Sequence, residues 1–224
     1  TLQTTTMKVL IFDTETTGLP TERNPSIRET TKWPHIMQLS YILYDTESVT
    51  IIRWRDDIIR IDDTIAISEE SMKIHGITRS MSRRRGIPLI EAISKFNGAL
   101  QDCDRVVGHN ISFDKRMIMV ESIRMKIPQY FTINGRGKPE QCTMKANVDT
   151  CKIETTSRSG EKYFKYPTLT ELHEHLFNQS PSGMHDAMAD VIICTRCYGA
   201  LNHDHDVVKD GCRKFKTLHT MYCE

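Results

Sequence analysis

Apolar positions in the first quarter of the chain fall into short runs of strand length. Met7 to Asp13, with Val9, Leu10, Ile11 and Phe12 in unbroken succession, predicts a strand buried on both faces that ends at its first acid. His35 to Asp45 and Ser48 to Arg60 are two further stretches rich in β-branched and aromatic residues, and the short polar link Asp45-Thr46-Glu47 between them predicts a hairpin. From Ile67 the period lengthens to that of a helix. Ser68 is the expected cap, Glu69 and Glu70 sit in a first turn where the helix dipole favours acids, and His75-Gly76 closes the segment. Pro88 to Leu100 places Leu89, Ile93, Phe96 and Leu100 on one helical face, and Arg105 to Gly108 is a short inner strand.

Ser112 to Met125 predicts a helix whose Phe113, Met117, Val120 and Ile123 face the sheet, with Asp114 in its first turn. Residues 134–160 are richer in Gly, Thr, Ser and charge than their neighbours, which predicts a mobile excursion. Thr168-Leu169-Thr170-Glu171 is a capping box that opens a helix to Phe177. After the break at Pro181-Ser182-Gly183, a last helix from about His185 to Leu201 carries Ala187, Val191, Cys194, Tyr198 and Leu201 at near-helical spacing. Strands first and then alternating helix and strand give an α/β layered domain with a mixed sheet. The division expected is a short arm at 1–6, one domain over 7–201 and an extension over 202–224 packed on or trailing it.

Composition narrows the function classes. The 224 residues carry a formal net charge of +1, so nucleic-acid contact has to be local rather than a bulk coating, which needs a strong basic excess. The one dense basic run, Arg79, Arg83, Arg84 and Arg85, reads either as a phosphate track or as a solvated loop. Seven cysteines with no leading secretory pattern read as reduced thiols in an intracellular compartment, cytoplasmic or nuclear. No apolar run approaches the roughly 18 residues of a membrane span, so no membrane partner is expected. Cys194-Thr195-Arg196-Cys197 has the spacing of half a zinc site. It falls at core-facing positions of a predicted helix without a second such pair, so buried thiols followed by a polar, His-rich tail are the simpler account.

Three segments carry candidate chemistry: Ile11-Phe12-Asp13-Thr14-Glu15-Thr16-Thr17-Gly18, His109-Asn110-Ile111-Ser112-Phe113-Asp114 and His185-Asp186-Ala187-Met188-Ala189-Asp190. Asp13 and Glu15 are two apart, so a continuing strand projects both from one face as a metal bracket, with an ordinary polar strand end as the alternative. Asp114 either faces the metals or merely complements its helix dipole, and Asn110 either steers a phosphate or sugar or caps its turn. Asp186 opens a helix and is the natural N-cap, which leaves Asp190 as the ligand and His185 on a loop able to swing over it. Phosphodiester hydrolysis with two metal ions needs such clustered carboxylates and a nearby base; without metal four acids repel a phosphate, and with metal the local sign inverts. An imidazole, with an ordinary pKa of about 6.5, takes a water proton near neutrality.

Taken together, these segments resemble the Exo I, Exo II and Exo III motifs of the DEDD superfamily of 3′-to-5′ exonucleases, in the DEDDh branch with histidine five before the last aspartate. Ser71-Met72-Lys73-Ile74-His75-Gly76-Ile77-Thr78, Cys142-Thr143-Met144-Lys145 and Tyr166-Pro167-Thr168-Leu169-Thr170-Glu171-Leu172 resemble further stretches of stand-alone proofreading-type members. The resemblance covers roughly Met7 to Leu201. It implies a ribonuclease H-like α/β fold, a five-stranded mixed sheet flanked by helices, and two Mg²⁺ or Mn²⁺ ions per active site. It also implies Asp13, Glu15, Asp114 and Asp190 as metal ligands and His185 as general base. Thr16, Thr17 and Leu19, with His109 and Asn110, become the substrate-binding residues, Leu19 matching a wedge between the last two bases or serving as a plain apolar turn residue. The activity implied is release of nucleoside 5′-monophosphates from a single-stranded or frayed 3′ end, DNA favoured, with a polymerase or replication partner in keeping with proofreading. An oligoribonuclease-like RNA exonuclease and a catalytically silent nucleic-acid or polymerase-binding module are the alternatives.

Overall fold

The computed structural model describes residues 7–224, so the expected arm at 1–6 lies outside the described residues. A five-stranded sheet is built from β1 (Lys8–Thr16), β2 (Ile36–Asp45), β3 (Thr50–Ile58), β4 (Arg105–Gly108) and β5 (Glu140–Cys142) in the order β3-β2-β1-β4-β5. β1 is central, antiparallel to β2 and parallel to β4. Its side chains alternate between two cores. Leu10 and Phe12 join Phe96 and Met117 on one side, and Val9 and Ile11 join Ile192 and Leu172 on the other.

The first side is covered by α2 (Arg79–Arg85), α3 (Leu89–Asp102) and α4 (Ile111–Met125), whereas the preceding α1 (Glu69–His75) buries none of its residues and lines a cleft beside the sheet. The second carries α5 (Leu169–Phe177), α6 (Ala187–His203) and α7 (Arg213–Cys223). Local chemistry explains the helix ends. Ser68 Oγ accepts from the Ser71 amide, Gly76 closes α1 at φ +71°, and Thr168 and Glu171 complete the capping box of α5.

Several expectations need correction. β1 does not stop at Asp13 but continues to Thr16, because β2 pairs with it as far as Ile36 and the β-branched Thr14 and Thr16 are buried in it. Ile123 does not face the sheet; it is 41% exposed, about 180° around α4 from Asp114, because the buried face of this helix is centred on the polar pair Asp114 and Glu121. The arginine run is the short helix α2, capped by Thr78 and seated on Ser82, whose hydroxyl accepts from the Ile61 amide and donates to the Ile59 carbonyl. Residues 134–160 are structured: they include edge strand β5, two one-turn helices at Thr143–Ala146 and Val148–Cys151, and one strand of a hairpin, Glu154–Thr156, whose partner is Lys162–Phe164. The stretch read as a polar tail contains α7, which buries Phe215, Leu218 and Cys223 against the second core. No helix among the described residues is long and apolar enough to cross a membrane.

Candidate metal centre and cleft

The continuation of β1 past Asp13 to Thr16 decides the site. Strand alternation turns Asp13 and Glu15 to the same face, while Thr14 between them points into the protein. α6 delivers Asp190 from its first turn to the same place, and ligand oxygens of Asp13, Glu15 and Asp190 all lie within 4.8 Å of one another. Among the described residues this is the only group of three or more His, Cys, Asp or Glu side chains so arranged. Cys194 and Cys197 are instead packed inside α6, and all seven cysteines are free thiols.

Asp114 lies deeper beside the three acids and is 4% exposed. Its Oδ1 accepts from both the amide (3.1 Å) and the hydroxyl (2.7 Å) of Thr14. Thr14 therefore ties the first acidic segment to the second, a role that a residue between two candidate ligands gives no sign of in sequence. One oxygen of Asp190, Oδ1, is buried with no hydrogen-bond partner. An orphaned carboxylate oxygen beside two other acids is costly in an apolar surrounding and suits a hard cation that takes oxygen donors. The proton affinities say the same. Burial, then the charges of Asp190, Asp114 and Asp186, pushes Glu15 up to about 8. Burial raises Asp190 to about 7 against an opposing backbone hydrogen bond from His185, with Asp186 and Asp114 adding to the rise. Burial likewise raises Asp114 to about 7, against the Thr14 hydrogen bonds, and burial with its four acidic neighbours holds Asp13 well above the carboxylate range.

Asp186 is the N-cap of α6: its Oδ1 accepts from the Met188 amide at 3.0 Å and the Ala189 amide at 3.2 Å. We expect Asp186→Ala to lower unfolding stability by about 1 kcal/mol and to slow turnover far less than Asp190→Ala does, measured by denaturant unfolding beside steady-state rates. His185 sits just before this cap, exposed and in the left-handed region at φ +71°.

A cleft of about 920 Å³ opens from Glu15. Thr16, Thr17 and Leu19 line one wall, and Leu19 is 80% exposed at its mouth. The wall is held from behind. Thr17 Oγ1 accepts from the His35 amide, and His75, whose Nδ1 accepts from the Ile77 amide, donates from Nε2 to the Thr16 carbonyl at 3.2 Å. Trp33 and His35, which also line the cleft, hang on Arg124 of α4, which donates to the carbonyls of Thr30, Trp33 and Pro34 and to buried Glu121. Sequence singled out the segment containing His75; for Trp33, His35 and Arg124 it offered no signal, because their roles rest on contacts about 90 residues apart. His109 is placed beside Asp13 and Asp190, yet both ring nitrogens are engaged internally, with Thr143 Oγ1 and the Pro167 carbonyl, each at 3.0 Å, and burial lowers its pKa. Asn110 is exposed and left-handed (φ +65°), its side chain making no cap bond, in a shallow groove with Phe113 and Arg116.

The RNase_T exonuclease family profile matches residues 10–198, more than half of the chain. The chain belongs to this exonuclease family, within the DEDD superfamily. No curated protein sequence matches it. Among solved structures the exonuclease superposes on exonuclease I without ligand at a TM-score of 0.60 and 18% identity, covering 96% of this chain and 45% of that one. It is similar to E. coli exonuclease I in complex with a dA16 oligonucleotide (TM-score 0.61, 16% identity, 96% and 43% covered). It is also similar to exonuclease I from Methylocaldum szegediense (0.59, 18%, 91% and 42%). At such identities the likeness is one of fold, the ribonuclease H-like mixed sheet flanked by helices. The family domain described here spans less than half the length of those exonuclease I chains.

Proposed function

We propose that this protein is a metal-dependent 3′-to-5′ exonuclease that releases nucleoside 5′-monophosphates from a single-stranded or frayed 3′ end, with DNA as the favoured polymer. The observation that carries the reading is the convergence of Asp13, Glu15 and Asp190 at the inner end of a cleft walled by residues following the first acids. Asp13, Glu15 and Asp190, with Asp114 beside them, are the residues to hold two Mg²⁺ or Mn²⁺ ions. When bound, such ions supply Lewis-acid stabilisation of a phosphoryl oxygen and a more acidic water. The chain's own residues do the rest. Exposed Leu19 offers an apolar edge against which a terminal base stacks, and the amide-rich turn at Thr16 to Gly18, braced by His35 and His75, orients the last nucleotide. Asn110 reaches the sugar or phosphate from its exposed turn, and His109 contributes by fixing the wall beside Asp13 rather than through a free ring nitrogen. His185, exposed on its turn, takes the proton of the attacking water on its imidazole.

DNA is favoured because the fold is shared with exonuclease I structures that hold dA16 and dT13 oligonucleotides. The test is a time course on 5′-labelled single-stranded DNA and RNA of one sequence, with Mg²⁺ and with excess chelator. We expect a ladder that shortens from the 3′ end, faster on DNA, and no product with chelator. Activity that persists in chelator overturns the metal mechanism, a faster RNA ladder reassigns the substrate, and binding without any ladder favours a silent binding module.

A further inference from the structure

The turn that presents His185 is gripped by a helix outside the three acidic segments. We propose that Tyr222, near the end of α7, is a positioning residue for the His185 turn and acts on both of its ends. At the near end, the Tyr222 carbonyl lies against Gly183, where an added Cβ would stand 2.0 Å from that oxygen; Gly183 itself is left-handed at φ +73°. Next to it Ser182 donates its hydroxyl to the Cys223 carbonyl. At the far end, the Tyr222 hydroxyl donates to Asp56 Oδ2 at 2.9 Å. Asp56 Oδ1 accepts from Gln38 Nε2 (2.8 Å) and Ser40 Oγ (2.8 Å). The buried Gln38 side chain then reaches the start of α6 with both of its polar atoms: Nε2 donates to Asp186 Oδ2 at 3.2 Å, and Oε1 accepts from the Ala187 amide at 3.2 Å.

Between these two anchors the turn is closed by the Asp186 amide donating to the Gly183 carbonyl at 3.3 Å. His185 stands inside that bracket, exposed and left-handed, and its imidazole has no hydrogen-bond partner among the described residues. Its aim is therefore set by the backbone of the turn, held by the bond from the His185 amide to Asp190 and at 183 and 186, the two points that Tyr222 reaches. Hydrogen-bonded supports of this kind orient a reacting side chain that is not itself packed, and a misplacement of about 1 Å is enough to slow a proton transfer. The inference rests on the reading of His185 as the base.

Tyr222→Phe removes the hydroxyl and keeps the ring and the carbonyl; Ser182→Ala weakens the other anchor independently. For either variant of the full chain we expect kcat to fall about 10-fold with KM and the metal requirement unchanged, and faster hydrogen exchange at the amides of 183–189. In a His185→Asn background Tyr222→Phe should change kcat by less than about 2-fold, because two residues acting through one step do not add. An equal fall in both backgrounds, or unchanged kcat and exchange in both variants, overturns the proposal. If His185→Asn alone leaves turnover normal, the base assignment fails instead, and the exchange measurement still decides whether Tyr222 holds the turn.

Discussion

Asp13→Asn is expected to abolish turnover, a loss of about 10³-fold or more, while raising the melting temperature of the metal-free protein at pH 8. The two effects share one cause. Asp13, Glu15, Asp114 and Asp190 each have their proton affinity raised by burial, and for all but Asp114 neighbouring acids add to the rise, with Glu15 at about 8 and Asp114 and Asp190 at about 7. A carboxyl whose folded pKa exceeds its unfolded one, about 4 for these groups, supports the fold below the unfolded value. That support is lost as pH rises through the folded value. Metal-free protein should therefore melt lower at pH 8 than at pH 5.5 on account of these groups. Removing one charge relieves the repulsion, each kcal/mol being worth about 2–4 °C in a chain of this size. Mg²⁺ or Mn²⁺ should raise the wild-type melting temperature at pH 8 much more than at pH 5.5, and Asp13→Asn should blunt that response. Thermal scans over this pH range with and without metal, beside activity on a labelled oligonucleotide, measure both effects. An Asp13→Asn protein that melts lower than wild type at pH 8 without metal would show that the acids are not a mutually repelling, metal-awaiting cluster.

What sequence disclosed about this site follows from the distance over which each residue's role is decided. Asp13 and Glu15 were legible because a two-residue period on a strand is a local property, and they fell on one face once β1 continued past the expected end. Asp186 and Asp190 were separable because an N-cap is defined within one turn, and the cap hydrogen bonds are those of Asp186. β5 was not legible: Glu140, Gln141 and Cys142 have neither alternation nor a β-branched run, and they are a strand only because β4 offers an edge. α4 was legible as a helix and misread as to its face, since buried Asp114 and Glu121 break the assumption that polar positions point outward. Arg124 supports the cleft through carbonyls on a segment about 90 residues earlier, and no spacing rule reaches that far. α7 is the largest omission. Its polar and basic residues hide a face of Phe215, Leu218 and Cys223, and the ties it makes to residues 182 and 183 exist only in the folded chain.

His185→Asn should slow turnover by about 10² to 10⁴ and leave the metal-induced rise in melting temperature intact, which separates it from substitutions of the acids. The choice of replacement matters. Residue 185 adopts φ +71°, a left-handed conformation that alanine occupies under strain and that asparagine occupies readily. His185→Ala therefore removes the imidazole and disturbs the turn at once, whereas His185→Asn removes the imidazole and keeps the turn. If the base assignment holds, the two variants lose turnover to a similar degree, because the missing proton acceptor dominates and a strained loop adds little to a step already lost. A residue that merely shaped the loop would behave otherwise: His185→Asn would retain near-normal kcat, His185→Ala would lose part of it, and His185→Gly would resemble His185→Asn. Single-turnover rates for the three variants at saturating metal, beside the metal-dependent melting shift of each, distinguish these outcomes. Loss of that shift in His185→Asn would place the imidazole among the groups that hold the metals and withdraw it from proton transfer.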